Sequence, residues 1–499
     1  MPADEQVKGS PARGRSAVQS GMLTGLSFLT VSGAAAIAGA FLAHKFGRNV
    51  ETDGFMAAYG VYLVLVLGAQ SFRMVVVPDL TRAAAMGTLA GEFRAYVVSF
   101  AAVAIPATLI VALFPNFFGE LVTGRLPHES AAIAGRSLPW LVPAAFGQLL
   151  AALAASALAA RDSYVVAAAG FALGAIGGVV MFIVLADAHG LVSLAWGLAL
   201  NAALAVGLPA LALVRRGGRF RAEGVSLDLR RRLWRLLQGA AVPFAVQGVY
   251  LIGLRFAAGT GAGNVTSLSY AYLLAATFVS ATAFSLSLIA AAPLTRRGVD
   301  AESAAEHVVH TSWVALAFVG AATGLVALVG GRVITAALGD AYAGKVGDQL
   351  GRLVIYLSPW MVTWAAFSIT YPLLFVMHRT RYLLPIAVGA VVLDIPISIA
   401  GRAWWGLTGV TFAMGLSMAL IVLGLMAALS PRTLALAFAG LVRLSALVGA
   451  ATALAFGGAS LLLGAVPAAA AGLGLYALLL LAARELGLAE AWHHVRALR

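Results

Sequence analysis

The same punctuation runs through this chain twice, and that duplication constrains its fold more than any single motif. Pro78-Asp79-Leu80-Thr81-Arg82 closes one long apolar run, and Pro293-Leu294-Thr295-Arg296 closes another 215 residues later. Val111-Ala112-Leu113, with Gly124 behind it, recurs as Val326-Ala327-Leu328 with Gly339, again at an offset of 215. Pro139-Trp140 opens a run reaching Arg161 and Tyr164; Pro359-Trp360 opens one reaching Arg379 and Tyr382, at offsets of 220 and 218. Four matches in one order at a nearly constant offset indicate a duplicated unit. Paired hydrophobic repeats are a common transporter plan, because two pseudo-symmetric halves rock around a site held between them.

Between these marks the chain is nearly free of charge. Of its 499 residues 61% are hydrophobic and 11% charged, which leaves too little polar surface for a water-soluble domain. Runs of spanning length fall at about 21–43, 55–77, 95–114, 138–160, 163–186, 190–214, 236–258, 265–292, 308–331, 353–377, 382–401, 403–430, 444–465 and 467–483, by the ~20-residue criterion for a helix crossing a bilayer. The last two form one charge-free stretch about twice as long as a bilayer core, so a hairpin turning near Gly464 and Pro467 is expected. The expectation is an all-α polytopic membrane protein with about 14 transmembrane helices. Gly21 to Ala43 is too long and too polar-flanked for a cleaved signal and is read as the first span.

With the N-terminus in the cytoplasm, 23 of the 33 Lys and Arg lie on the inner side and 8 on the outer, with Arg73 and Arg255 inside spans. This positive-inside asymmetry places both termini in the cytoplasm of a bacterial inner membrane. The repeat maps spans 1–6 onto spans 7–12 in the same orientation, about an axis along the membrane normal. The resulting division is a 1–20 cytoplasmic tail, a 21–214 six-helix bundle, a 215–235 basic linker, a 236–430 six-helix bundle, and a 431–499 helix pair with its tail. The linker carries eight Arg, and Leu229, Leu233, Leu236 and Leu237 alternate there with Arg230, Arg231, Arg232 and Arg235. That pattern suits a short helix lying on the inner leaflet against anionic headgroups. It equally suits an ordinary basic inner loop.

The absence of Cys excludes disulfides and thiolate chemistry, and no hydrolytic or redox motif is present. Gly259-Thr260-Gly261-Ala262-Gly263 stands between two spans and reads as a turn, not a phosphate cradle. The positive charge follows topology, so no nucleic acid partner is implied. No catalytic residue, metal or cofactor is expected, and transport, binding or scaffolding leads over enzyme activity. Ionisable groups inside spans are then the candidates. Asp394 lies mid-span, where a lone carboxylate must be protonated or meet a cation; Pro396 beside it frees a carbonyl suited to coordinate Na+. Arg255, near the outer end of span 7, is placed to meet an anionic phosphate or to snorkel. Arg73 near the inner end of span 2 reads as a snorkelling residue. Gln247 joins the polar residues expected to pair across helices. Trp140, Trp360, Trp364, Trp404 and Trp405 read as interfacial anchors.

Gln247-Gly-Val-Tyr-Leu-Ile-Gly-Leu-Arg255, followed by Gly263-Asn-Val-Thr-Ser-Leu-Ser-Tyr270-Ala271, resembles the span 7–8 region of the MurJ (MviN) lipid II flippases. Phe46-Gly47 with Thr52-Asp53-Gly54-Phe55 is similar to that family's FG…TDAF stretch, and the Pro78 and Pro293 closures resemble its span 2 and span 8 ends. The resemblance extends to the 6+6+2 layout and, in part, to the wider MOP exporter superfamily. It implies two six-helix bundles around a cationic cavity, with an extra helix pair forming a groove for a polyprenyl tail. It implies an undecaprenyl-diphosphate-linked saccharide as substrate and cell-wall synthesis proteins as partners. It also implies Arg255, Asp53, Arg73 and Gln247 in the cavity, and Na+ or H+ coupling at Asp394 with Ser398 and Thr411. The chain departs from the pattern in having no Arg in span 1 and Tyr272 after Tyr270-Ala271, where the family places Arg. A flippase is therefore expected. A cation-coupled exporter resembling the MATE branch and a non-transporting scaffold are the alternatives. For Asp53 an N-cap role on span 2 competes with the cavity role.

Overall fold

The computed structural model describes residues 13–159, 165–215, 228–279, 300–377 and 379–483, without the side chains of 13–26, 28, 67–75 and 78. The regular structure among these residues is helical: α1 (Arg13–Phe46), α2 (Val50–Ala85), α3 (Leu89–Leu113), α4 (Pro115–Thr123), α5 (His128–Ala159), α6 (Val165–His189), α7 (Val192–Arg215), α8 (Leu229–Ala257), α9 (Asn264–Val279), α10 (Ala301–Leu338), α11 (Lys345–Tyr356), α12 (Ser358–Val376), α13 (Leu383–Leu429), α14 (Pro431–Leu462) and α15 (Ala465–Ala482). Among the described residues, eleven segments are long and apolar enough to cross a membrane. One of them, Thr380–Leu429, holds two expected spans, because Trp405 and Gly406 leave helical geometry inside α13, Gly406 at φ +57°. The expected spans over 55–77 and 265–292 coincide with α2 and with α9, the latter described to Val279. The chain is an all-α polytopic membrane protein.

The duplication does not carry its helix breaks with it. Residues 86–123 are split at Phe114 between α3 and α4, where Pro115 supplies a preset φ for a new first turn. At the matching offset stands Gly330, and α10 runs through without a break. Conversely Pro359 opens α12 after Leu357, whereas Pro139 lies inside the continuous α5.

Two compact units are present: Met1–Gly39 with Phe72–Ala112 and Pro139–Leu233, and Ala40–Ser71 with Leu113–Leu138 and Trp234–Arg499. In the first unit α6 and α7 touch backbone to backbone. A Cβ on Gly178 or on Gly197 would overlap the other's carbonyl oxygen, and Gly174 sits against Asn201. Small residues permit this approach, and packing of that kind drives helix association in lipid. In the second unit α14 and α15 form the expected hairpin, turning at Leu463-Gly464. It docks on α10 through Gly320 and Gly324. Gly324 receives the ring of Phe456, and the Tyr476 hydroxyl donates to the Ala317 carbonyl at 2.7 Å. Phe456 lies in a π-helical turn, Ala453–Gly457, whose added residue redirects the side chain relative to a regular helix.

The basic segment differs from expectation. Leu229 to Leu237 is not a separate surface helix but the first turns of α8, which continues to Ala257. Asp228 accepts from the Arg231 amide at 3.2 Å, and Arg232 forms a two-pronged pair with Glu92 of α3. The Arg232 guanidinium also lies 5.0 Å from the Tyr96 ring, whose hydroxyl donates to Asp79 at 2.6 Å. Arg232 is thus engaged by protein, while Arg230, Arg231 and Arg235 are exposed. Residues 216–227 of the linker and the Pro293 closure lie outside the described residues.

Candidate functional site

One end of the second unit is built from turns that bring the start of α2 against the start of α9. Gly47, at φ +64°, ends α1. Asn49 and Thr52 then cap α2 reciprocally: the Thr52 amide donates to Asn49 Oδ1 at 2.9 Å and the Asn49 amide to Thr52 Oγ1 at 2.8 Å. The cap expected of Asp53 thus belongs to Asn49. Asp53 instead reaches the start of α9. Its carboxylate accepts from the Gly263 amide, from the Thr266 amide at 2.8 Å and from the Thr266 hydroxyl at 2.6 Å. A carboxylate at a helix N-terminus satisfies otherwise unpaired amides and opposes the helix dipole. Burial pushes its pKa up, while the Thr266 and Gly263 donors and the nearby Arg48 charge act to lower it. Arg48 donates to the Gly263 carbonyl at 2.7 Å and to Asn264 Oδ1 at 2.5 Å. A Cβ on Gly54 would collide with the Ser130 backbone, and the Ser130 hydroxyl donates to the Val50 carbonyl at 2.6 Å. Gly47, Arg48, Asn49, Thr52, Asp53 and Gly54 of the Phe46–Phe55 stretch therefore each have a structural task.

Arg255 meets protein as well. Its Nη1 donates to the Leu121 carbonyl at the C-terminal end of α4, and its stem lies against Gly124. The side chain is nonetheless exposed. Gln247, expected in the cavity, is buried, with its amide oxygen accepting from the Tyr272 hydroxyl at 2.8 Å. Tyr272 also stacks on Tyr250 at 3.8 Å and meets Trp360 at 4.8 Å. Where the resemblance leads one to expect a cation, this chain has a neutral aromatic stack. Trp360, read as an interfacial anchor, is 1% exposed within that stack, whereas Trp404 and Trp405 are 72% and 62% exposed and suit the anchoring role. The Arg73 side chain lies outside the described residues.

Asp394 is fully buried midway along the first arm of α13. One carboxylate oxygen accepts from Ser417 at 2.6 Å and, more distantly, from Ser398 at 3.4 Å. The other, Oδ2, has no hydrogen-bond partner. Thr411 is not brought to it; its hydroxyl donates to the Thr408 carbonyl one turn back. The reason is hairpin arithmetic. Asp394 and Ser417 stand at equal distances from the Trp405-Gly406 turn, whereas Thr411 is too near the turn to reach that depth. The same rule brings Gly401 against Gly409. The helix continues through Pro396, so no stretch is unwound there. An orphaned carboxyl oxygen in a dry interior is costly, and a proton or a small cation would satisfy it.

No protein-family model matches the sequence, and no curated protein sequence does. Solved structures do match. A lipid II flippase MurJ in an inward closed conformation aligns with a TM-score of 0.71 at 14% identity, covering 93% of this chain and 99% of that one. A multidrug resistance MATE family transporter of the MOP superfamily, inward-facing, aligns at 0.65 and 14% identity, covering 83% of this chain and 94% of that one. An outward-facing structure of such a transporter aligns at 0.56 and 15%, covering 89% and 99%. These proteins are named as a flippase and transporters, not as enzymes. The chain has the fold seen in these MurJ and MATE transporter structures.

Proposed function

We propose that the chain is a MOP-type transporter that flips an undecaprenyl-diphosphate-linked saccharide across the cytoplasmic membrane by alternating access, with both termini in the cytoplasm. The observation that carries this reading is the fold match to a flippase over 93% of the chain. Twelve spans suffice for a small-molecule exporter, and a hairpin packed firmly onto α10 supports a larger, lipid-linked cargo. Asp394 is the proposed coupling group. Its unpartnered oxygen and the Ser417 hydroxyl fit a proton or Na+, and binding there would tie the two arms of α13 to the ion gradient. Arg255 keeps donors beyond the one given to Leu121, and its exposed side chain supports contact with a phosphate.

The exporter reading rests on a specific observation of its own, the fold match to a multidrug resistance MATE family transporter at a TM-score of 0.65. Native mass spectrometry of the purified protein separates the two. The flippase reading expects retention of an undecaprenyl-diphosphate saccharide in preference to phosphatidylglycerol and to ethidium. Preferential retention of ethidium, with no lipid-linked saccharide held, would hand the protein to the exporter class.

A further inference from the structure

The end of the second unit where α2 and α9 start against each other contains a pocket of about 370 Å³ lined by Val50, Asp53, Arg125 to Pro127, Ala258, Gly259, Gly261, Ala262 and Arg402. Its electrostatics run against the rest of the chain. Lys and Arg are scarce on this side, 8 of 33 by the topological count, yet Arg125 and Arg402 line this pocket, with Arg48 on a turn and Arg255 near the end of α8, three residues from Ala258 in the lining. None of these four makes a salt bridge among the described residues. Three are fixed by backbone carbonyls: Arg402 by Gly259 at 3.0 Å, Arg48 by Gly263, and Arg255 by Leu121. A carbonyl orients a guanidinium without cancelling its charge. Glycine makes this possible at two of the turns, since a Cβ on Gly259 or Gly263 would collide with the guanidinium group of Arg402 or with the Arg48 side chain. Asp53 is the acidic member of the lining, and its carboxylate is taken up by three donors from Gly263 and Thr266. Glu51 and Glu129 are exposed nearby in sequence but do not line the pocket.

We infer that this pocket is a binding site for a phosphate-type anion, with Arg125 and Arg402 as its charged contacts. The volume suits a diphosphate or a phospholipid headgroup, and two guanidinium groups without a salt bridge, that of Arg402 fixed by the Gly259 carbonyl, suit phosphate geometry. This site stands apart from the transport reading, because binding can be measured without any flipping. The two sources of such an anion are a soluble phosphate and a lipid headgroup.

The test uses purified protein in nanodiscs. Inorganic pyrophosphate is titrated by microscale thermophoresis in zwitterionic phosphatidylcholine discs, and thermal stability is compared between discs with and without phosphatidylglycerol. Arg125→Gln/Arg402→Gln is one variant. Ala262→Glu is the second: it places a carboxylate at an exposed wall position that makes no side-chain hydrogen bond, so it preserves the turn. Saturable pyrophosphate binding, weakened tenfold or more by each variant, supports a soluble anion. Stabilisation by phosphatidylglycerol alone, lost in both variants, supports a headgroup. Wild-type protein insensitive to both probes, or binding unchanged in Ala262→Glu, would overturn the site.

Discussion

At the scale of single residues, two buried carboxylates mark two kinds of polar group among the described residues, one whose bonds are complete and one with an oxygen left without a partner. Asp53 belongs to the first kind. Removing its carboxylate in Asp53→Ala leaves buried amides at Gly263 and Thr266 without partners, at about 1–3 kcal/mol each. The expected outcome is a clear fall in melting temperature in detergent, read by intrinsic fluorescence. A melting temperature equal to wild type would contradict the helix-capping role. Asp394 belongs to the second kind. Asp394→Asn should leave the protein folded but remove the dependence of transport on a proton or sodium gradient, while Ser417→Ala should weaken that dependence and Thr411→Ala leave it intact. Gradient dependence that survives Asp394→Asn would make the group structural. The position of Asp394 inside a long apolar run was legible in the sequence, because a carboxylate there is conspicuous against 61% hydrophobic residues. Its partner was not read correctly: Ser417 emerges only once the turn at Trp405-Gly406 sets the pairing of the two arms.

At the scale of elements, helices were legible where hydrophobicity alone decides them and illegible where packing does. The runs found by composition coincide with helices because lipid leaves the backbone no other partner than itself. Composition does not see that α8 begins at Leu229, since the Arg232–Glu92 pair that holds its first turns lies 140 residues apart. Nor does it see α4 and α11, short helices outside the spanning pattern. Glycine positions carry the element-scale predictions. Gly54→Ala drives a methyl group into the Ser130 backbone, and Gly324→Leu fills the space of the Phe456 ring. Overpacking of this kind costs about 1–3 kcal/mol. For Gly324→Leu, hydrogen exchange should rise in α14, α15 and the facing part of α10, with the α6–α7 pair unchanged. Unaltered exchange in α14 and α15 would mean that the hairpin is held elsewhere.

At the scale of the whole molecule, the sequence resemblance and the fold comparison point to the same fold by separate routes: short motifs in one case, backbone alignment over 93% of the chain in the other. The family-like motif from Phe46 to Phe55 is explained here as architecture, since Gly47, Arg48, Asn49, Thr52, Asp53 and Gly54 each shape or fasten the turns at the starts of α2 and α9. Cargo is a different matter. Fold alone does not carry it, and at Tyr272 this chain has an aromatic ring where the resemblance implies a cation. The most direct measurement is flipping by the purified protein in liposomes, read from the loss of inner-leaflet label for a fluorescent undecaprenyl-diphosphate saccharide and, in parallel vesicles, from release of ethidium. The account predicts protein-dependent movement of the saccharide lipid, slowed about tenfold or more at subsaturating substrate in Arg255→Ala, and no movement of ethidium. Ethidium transport with the saccharide lipid left in place would contradict it.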